Sequence, residues 1–210
     1  MAHGGGRATE SAVEAALRWL ARHQEQDGRW RAGIDQDMEG RTEFKDYDVA
    51  MTGLALLAFL GAGHTEKAGQ YRGNVQRGVY WLISKQAEDG SWKGTCSESR
   101  FMYEQGIASL ALAEAYGMAR VPDTGRAAQK AIDFVQQAQH EYAAWDYRPN
   151  RDTNARNDTS VSGWNVMALK SARIAGLKVD PQAFMGAIAW LDAGQKLPKD
   201  AGKSAGTDFT

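Results

Sequence analysis

Apolar residues recur along this chain with the spacing of an α-helix in four separate segments. In each segment three apolar anchors stand at positions i, i+4 and i+7, which places them on one face of a helix. The four sets of anchors are Val13/Leu17/Leu20, Val75/Val79/Leu82, Ala128/Ile132/Val135 and Phe184/Ile188/Leu191. The pattern therefore predicts four amphipathic helices of one repeated kind, which we call outer helices.

A second kind of helical segment follows each of the first three outer helices. These segments are more apolar and richer in small residues, and they run from Asp48 to Leu60, from Met102 to Tyr116 and from Asp158 to Ile174, around Gly53, Gly106 and Gly163. Wide apolar faces are typical of helices that are packed on several sides, so we expect these to be inner helices. No stretch alternates apolar and polar residues for long enough to predict a strand. The predicted fold is all-α, with three hairpins and a fourth outer helix.

Capping residues mark several of the predicted helix ends. Ser11-Ala-Val-Glu14 has the form of a capping box, and Asp180-Pro181 has the form of an N-cap followed by proline at the first helical position. Gly176 stands where a left-handed residue commonly ends a helix. All four prolines fall outside the predicted helix interiors.

Two identical short motifs and a degenerate third copy join the outer helices to the inner ones. The motif QxxDGxW occurs from Gln24 to Trp30 and from Gln86 to Trp92, and Gln139 and Trp145 keep the same spacing without the Asp-Gly pair. Asp-Gly favours a tight turn with positive φ, and the glutamine amide can hydrogen-bond the end of a neighbouring helix. We interpret these residues as a structural staple of the outer surface that has no part in chemistry.

The composition narrows the classes of protein. The chain has 210 residues, 25 Lys+Arg against 26 Asp+Glu, a net charge of -1 and one cysteine. This balance argues against a nucleic-acid-binding surface, and one cysteine excludes an internal disulfide. No apolar run reaches the roughly 20 residues that a membrane span needs, so we expect a soluble chain. We interpret residues 1–9 as a disordered leader without a signal peptide, 10–195 as the repeat domain and 196–210 as a flexible tail. No targeting signal indicates a compartment.

The QxxDGxW copies in their helical context resemble the QW repeats of the squalene/hopene cyclase and protein prenyltransferase superfamily. The segments Asp158 to Arg173 and Ala50 to Leu60 are similar to inner helices of bacterial squalene-cyclase-like repeat proteins. The resemblance covers about residues 10 to 195 and implies an α/α toroid. It implies about six hairpins for a closed toroid, whereas this chain supplies about three and a half. We therefore expect a partial toroid.

The catalytic and metal-binding residues that the resemblance implies are absent from this chain. It implies a proton-donating aspartate in a DxDD motif for cyclases, or zinc held by an Asp-x-Cys pair and a distant His for prenyltransferases, and neither pattern occurs in this chain. The DDxxD signature of magnesium-diphosphate sites is absent as well. No catalytic residue and no metal-binding residue is predicted, which favours a domain that is not an enzyme by itself. We interpret Cys96 as a structural thiol.

One acidic loop has the spacing of a calcium site. Asp35, Asp37, Glu39, Glu43 and Asp46 stand at positions 1, 3, 5, 9 and 12 of a pattern with Gly40 at position 6. Arg41 and Lys45 dilute its negative charge. The alternative is a solvated charged loop, which we favour, and no cofactor is predicted.

The N-termini of the inner helices are the place where we expect a ligand. In an α/α toroid these ends meet at one rim of the cavity, where unpaired N–H groups and helix dipoles collect. Aromatic side chains mixed with charges suit an apolar ligand with a polar handle. The candidate residues are Asp48, Tyr103, Glu104, Asp158 and Trp164. The alternative is that the two aspartates cap their own helices and the aromatics fill a core.

Two functional classes stay open on this basis. The first is a noncatalytic repeat domain that binds a protein partner or an apolar, isoprenoid-like ligand in its inner-helix groove. The second is a terpene cyclase or prenyltransferase-related enzyme that is completed by further chain or by a second subunit, and a polysaccharide lyase is a weaker third. A homodimer, or contact with other domains of a parent protein, would use the terminal repeat faces at Trp19, Leu20, Ala187, Trp190 and Leu191. We expect no nucleic acid and no membrane span.

Overall fold

A computed structural model describes residues 6–32, 47–140, 144–149 and 157–195 of the chain. It contains seven α-helices and, within those residues, no strand. The helices are α1 (Arg7–Arg22), α2 (Asp48–Gly61), α3 (Arg72–Lys85), α4 (Phe101–Ala119), α5 (Pro122–Gln137), α6 (Thr159–Ile174) and α7 (Pro181–Gln195). The predicted all-α fold is confirmed, and it is a partial α/α toroid of three hairpins with a fourth outer helix.

The helices form two layers in the predicted order. The inner helices α2, α4 and α6 pack side by side, while α3 lies against α2 and α5 lies against α4. Helix α4 is central and buries nearly its whole surface, including Met102, Ala108 and Leu112. None of the helices in the described part of the chain is long and apolar enough to cross a bilayer.

The outer-helix anchors are buried in the middle of the chain and exposed at its two ends. All six anchors of α3 and α5 are buried. In α1, by contrast, Leu17 is buried and Val13 is 48% exposed, and in α7 both Ile188 and Leu191 are exposed. The predicted face of the first and last helices is therefore only partly covered, because each of these helices has a neighbouring repeat on one side only.

The helix ends confirm two of the three predicted caps. After α6 the N–H of Leu177 donates to the Ala172 carbonyl (2.9 Å) and the N–H of Gly176, which has φ +78°, donates to the Arg173 carbonyl (3.1 Å). This pair of bonds is a Schellman motif. Asp180 accepts from the Gln182 N–H ahead of Pro181, as predicted. The capping box at Ser11 is wrong, because α1 already begins at Arg7, inside the predicted leader 1–9, and its N-cap is Gly6.

Each QW unit ties three helices together through the same hydrogen bonds. The indole Nε1 of Trp30, Trp92 and Trp145 donates at 2.8 Å to the carbonyl of the last apolar anchor of its own outer helix, Leu20, Leu82 and Val135. The backbone N–H of the same tryptophans donates to the inner helix, to Thr52, Gln105 and Ser162. All three indole rings are buried between the layers, not on the outer surface as expected.

The glutamine of each unit reaches the next outer helix, as predicted. The amide nitrogens of Gln24, Gln86 and Gln139 donate at 2.8–3.0 Å to the carbonyls of Asn74, Ala127 and Ala183, each the residue before the first anchor of that helix. Gln24 and Gln86 also donate to the turn glycine of their own motif. One amide group thus fixes the turn and the neighbouring helix together.

The Asp-Gly turns have the predicted positive φ, +101° at Gly28 and +89° at Gly90. Asp89 accepts from the N–H and the hydroxyl of Ser91, and the hydrogen bond from that hydroxyl lowers the pKa of Asp89. A Cβ atom at Gly90 would also overlap the Lys130 carbonyl of α5. Glycine is therefore required twice, by the left-handed backbone and by the closeness of the next outer helix.

Replacing Gly90 by alanine tests this double requirement, with Gly94→Ala as the matched control. Gly94 has φ +86°, but no atom lies within 4 Å of its added Cβ. We expect Gly94→Ala to cost about 1 kcal/mol for the backbone alone. Gly90→Ala should cost at least about 3 kcal/mol, because α5 must also move away. Urea unfolding of both variants measures the difference, and equal losses would contradict a tight contact with α5.

Candidate functional site

The rim at the N-termini of α4 and α6 gathers a cluster of aromatic and polar side chains. Two of the predicted residues, Tyr103 and Asp158, lie in it together with Arg100 and Ser160. The hydroxyls of Tyr103 and Ser160 hydrogen-bond each other and so join α4 to α6. Ser160 in turn donates to the Asp158 carboxylate at 2.6 Å.

Asp158 is a buried N-cap of α6. Its Oδ1 accepts from the Val161 N–H at 2.9 Å, as expected for an aspartate ahead of a helix. Burial raises its pKa, but the hydrogen bonds from Ser160, Val161 and the Tyr147 hydroxyl outweigh this, so the pKa of Asp158 is lowered overall. The group is therefore a stable anion at neutral pH.

Tyr147 belongs to this cluster and was missed by the sequence analysis. Its ring stacks on Tyr103 at 5.6 Å between centroids, and the Arg100 guanidinium lies 4.8 Å from the centre of the Tyr147 ring. Burial and the hydrogen bond to Asp158 raise the pKa of its phenol. Its position two residues after Trp145, the last residue of the degenerate motif, is the sequence feature that could have singled it out.

Glu104 lies beneath the rim with no exposed surface. One oxygen accepts from the Ser97 N–H at 2.8 Å and the other from the Ala50 N–H at 3.3 Å. Ala50 is in the first turn of α2, so a carboxylate on α4 caps a different helix and interacts favourably with its dipole. Glu104 therefore holds α2, α4 and the preceding loop in place and does not point at solvent.

Cys96 lies next to this carboxylate. Burial raises the pKa of its thiol well above the usual range, and the charge of Glu104 and a hydrogen bond to it raise the pKa further. Cys96 is 9% exposed and lies in the wall of an open groove of about 780 Å³. A protonated thiol is a poor nucleophile.

Asp48 has a different partner from the one expected of a cap. It is the first residue of α2, and its carboxylate accepts from the Ala32 N–H at 3.1 Å and lies 3.4 Å from Arg29. Burial raises the pKa of Asp48. It thus anchors the end of the first QW unit to α2, whereas Tyr47, the N-cap of that helix, makes no side-chain cap.

The inner helices present an apolar band on the side opposite the outer layer. Leu56 of α2 marks the side of the inner helices that faces the outer layer, because it would lie 3.0 Å from a Cβ on Gly78 of α3. The positions one and four residues after the central glycine of each inner helix lie on the other side. They are Leu54 and Leu57, Ile107 and Leu110, and Trp164 and Met167. Ile107 and Leu110, in the middle, are 5% and 8% exposed, so the accessible part of the band lies on α2 and α6. Trp164, the fifth predicted site residue, is half-buried in this band. At its far end Ser171 donates to Glu114.

The band is therefore apolar along its length and polar at both ends. The rim cluster closes one end with Arg100, Tyr103 and Tyr147, and the Glu114–Ser171 pair closes the other. A surface of this kind can bury a chain-like apolar molecule and orient a polar group at its end.

Metal binding has no support in the residues that the structure covers. The acidic loop with Asp35, Asp37, Glu39 and Asp46 lies outside the described residues. Within the described ranges no three His, Cys, Asp or Glu side chains are grouped closely enough to hold a metal ion.

Comparison with known proteins links the first half of the chain to one family. The model of the squalene-hopene cyclase C-terminal domain matches residues 2–104. A squalene-hopene cyclase from Zymomonas mobilis subsp. mobilis is 32% identical over 85 residues, which are 39% of this chain and 12% of that enzyme. The chain thus matches only a small part of the curated relative. No solved structure matches it.

Replacing Glu104 by glutamine tests the shared cap. The glutamine NH2 would face an N–H donor, so one buried donor loses its acceptor at a cost of about 1–3 kcal/mol. Urea unfolding should show this loss for Glu104→Gln and almost none for Glu98→Gln, because Glu98 is exposed on the same loop. Equal stability of the two variants would contradict the role of Glu104.

Alkylation of Cys96 tests the electrostatics around it. At pH 8 iodoacetamide should modify the folded chain at least about a hundredfold more slowly than the urea-unfolded chain, because the raised pKa removes the thiolate. Glu104→Gln, checked for folding by circular dichroism, should react faster than the native chain, while Glu98→Gln should not. Rapid alkylation of the native chain would be inconsistent with the buried carboxylate's effect.

Proposed function

Since the chain belongs to the squalene-cyclase-like superfamily, we propose that its repeat domain binds an amphiphilic ligand of isoprenoid type on the inner face of α2, α4 and α6. The ligand lies along the apolar band, and its polar end meets the rim cluster. The observation that carries this proposal is the apolar band itself, which has a polar group at each end and in which Leu57 and Trp164 are half-buried.

The rim offers donors for the polar end of such a ligand. Arg100 is exposed at the first turn of α4, where the helix dipole adds positive potential. Tyr103 adds a hydroxyl that can turn from Ser160 towards a ligand. An alcohol or a carbonyl oxygen matches these donors, while the hydrocarbon chain is buried at a gain of about 25 cal/mol per Å².

The same groups support binding without catalysis. A cyclase needs a carboxyl group that is protonated when the substrate binds, whereas the lowered pKa of the rim carboxylate of Asp158 keeps it ionised and it accepts hydrogen bonds as the cap of α6. Glu104 is engaged with backbone N–H groups of two other segments. Neither carboxylate suits proton delivery to an apolar substrate.

A second candidate is an enzyme completed by further chain or by a second subunit. The match to the cyclase C-terminal domain favours it, because the Zymomonas mobilis relative is a squalene-hopene cyclase of which this chain covers 12%. In that case the present domain supplies an apolar wall and the acid comes from the completing part.

Titration of the chain with farnesol tests the proposal. Leu57→Asn places an amide in the apolar band and should weaken farnesol binding by about tenfold, by loss of one buried leucine contact. Ile83→Asn is the matched control, because Ile83 is also half-buried but lies on the outer helix α3. Calorimetry measures both affinities.

The outcomes separate the two candidates. Failure of farnesol to bind, or equal affinities of the two variants, would contradict binding on the inner face. Incubation with squalene followed by product analysis addresses the second candidate, and a cyclised product formed by the chain alone would overturn the noncatalytic role.

A further inference from the structure

Exposed large apolar side chains are concentrated at the two ends of the helical array. Within the described residues, those on the first hairpin form what we call the N face, and those on the last two helices form the C face. The N face carries Val13, Trp19, Met51 and Leu54, and the C face carries Met167, Ile174, Met185, Ile188 and Leu191. Elsewhere only Tyr80 and Met118 are comparably exposed in that part of the chain.

The internal junctions show what such positions do when they are covered. Counted from the central glycine of each inner helix, Met51 and Leu54 of α2 correspond to Glu104 and Ile107 of α4. Glu104 binds the Ala50 N–H of α2, and Ile107 packs over Gly53. The leading edge of α4 is therefore buried by α2, whereas the same edge of α2 is exposed.

The trailing edge of the inner helices repeats in the same way. A Cβ on Gly106 would lie 3.2 Å from Trp164 of α6, but a Cβ on the corresponding Gly163 meets no atom within 4 Å. Leu110 of α4 is 8% exposed, and its counterpart Met167 is 43% exposed. The C face thus carries the contact positions of an internal junction without the helix that covers them.

The outer helices agree with the inner ones. Val13 of α1 corresponds to Val75 of α3, which is fully buried, and Ile188 of α7 corresponds to Ile132 of α5, which is fully buried as well. Both layers therefore end in surfaces that the same repeat buries elsewhere in the fold.

We propose that two copies of this chain associate head to tail, with the C face of each copy on the N face of the other. The junction continues the α2–α4 and α4–α6 interfaces, in which a trailing edge always meets a leading edge. Two identical junctions close the assembly as a dimer. Each copy keeps its own outer helix at the junction, so that α7 of one lies beside α1 of the other.

Sedimentation equilibrium of the full chain and three variants tests the proposal. The native chain should have twice its 23.0 kDa mass. Ile188→Arg on the C face and Val13→Arg on the N face should each raise the dimer dissociation constant at least about a hundredfold, since each substitution acts at both junctions. Tyr80→Arg, at a site on α3 that is 70% exposed and lies outside both faces, should leave it unchanged.

Mixing the two interface variants distinguishes head-to-tail pairing from like-face pairing. An Ile188→Arg copy keeps an intact N face, and a Val13→Arg copy keeps an intact C face, so the mixture should form a heterodimer through one native junction. Unchanged melting temperatures establish that both variants fold. A native chain that stays at 23.0 kDa, variants that still dimerise, or a mixture that forms no heterodimer would each overturn the proposal.

Discussion

The hydrogen bonds of the QW tryptophans are the interaction on which the rest of this structure depends. Each indole binds the end of its own outer helix, each tryptophan N–H binds the inner helix, and the glutamine at the start of the motif binds the next outer helix. Buried polar groups are costly unless they are paired, so these bonds set the distance and register between layers within narrow limits. Inner helices placed in this way pack closely at Gly53 of α2, which faces Ile107 of α4, and at Gly106 of α4, which faces Trp164 of α6.

The rim at the top of the inner helices follows from that placement. Because α4 and α6 are parallel and in register, the hydroxyl of Tyr103 hydrogen-bonds that of Ser160. Asp158 caps α6 and also accepts a hydrogen bond from Tyr147, which follows the third motif. The same register brings Glu104 to the first turn of α2. Carboxylates at these points stabilise helix ends, which leaves the apolar band and the exposed Arg100 as the parts of the inner face that can receive a ligand.

The location of the candidate site could be predicted from the sequence, but the roles of its residues could not. The pattern of aromatics and charges near the inner-helix starts located the rim, and Tyr103 and Asp158 do meet there. Glu104 and Asp48 were chosen for the same reason, yet they bind backbone groups of other segments. Tyr147 gave no periodic signal, because it lies in an irregular loop whose path depends on Trp145. Ligand binding by the five chosen residues remains a prediction.

The sequence by itself determined the helices, their two kinds and the turns between them. Periodic anchors, the repeated QxxDGxW motif, the Asp158 cap and the Schellman glycine Gly176 are local features, and local free energies decide them. The tertiary structure alone decided which anchors are covered and which carboxylates face solvent. Val13 and Val75 occupy the same position in the repeated pattern, yet Val13 is exposed and Val75 is buried. The reason is that burial depends on whether a neighbouring repeat is present, and this is a property of the packed array.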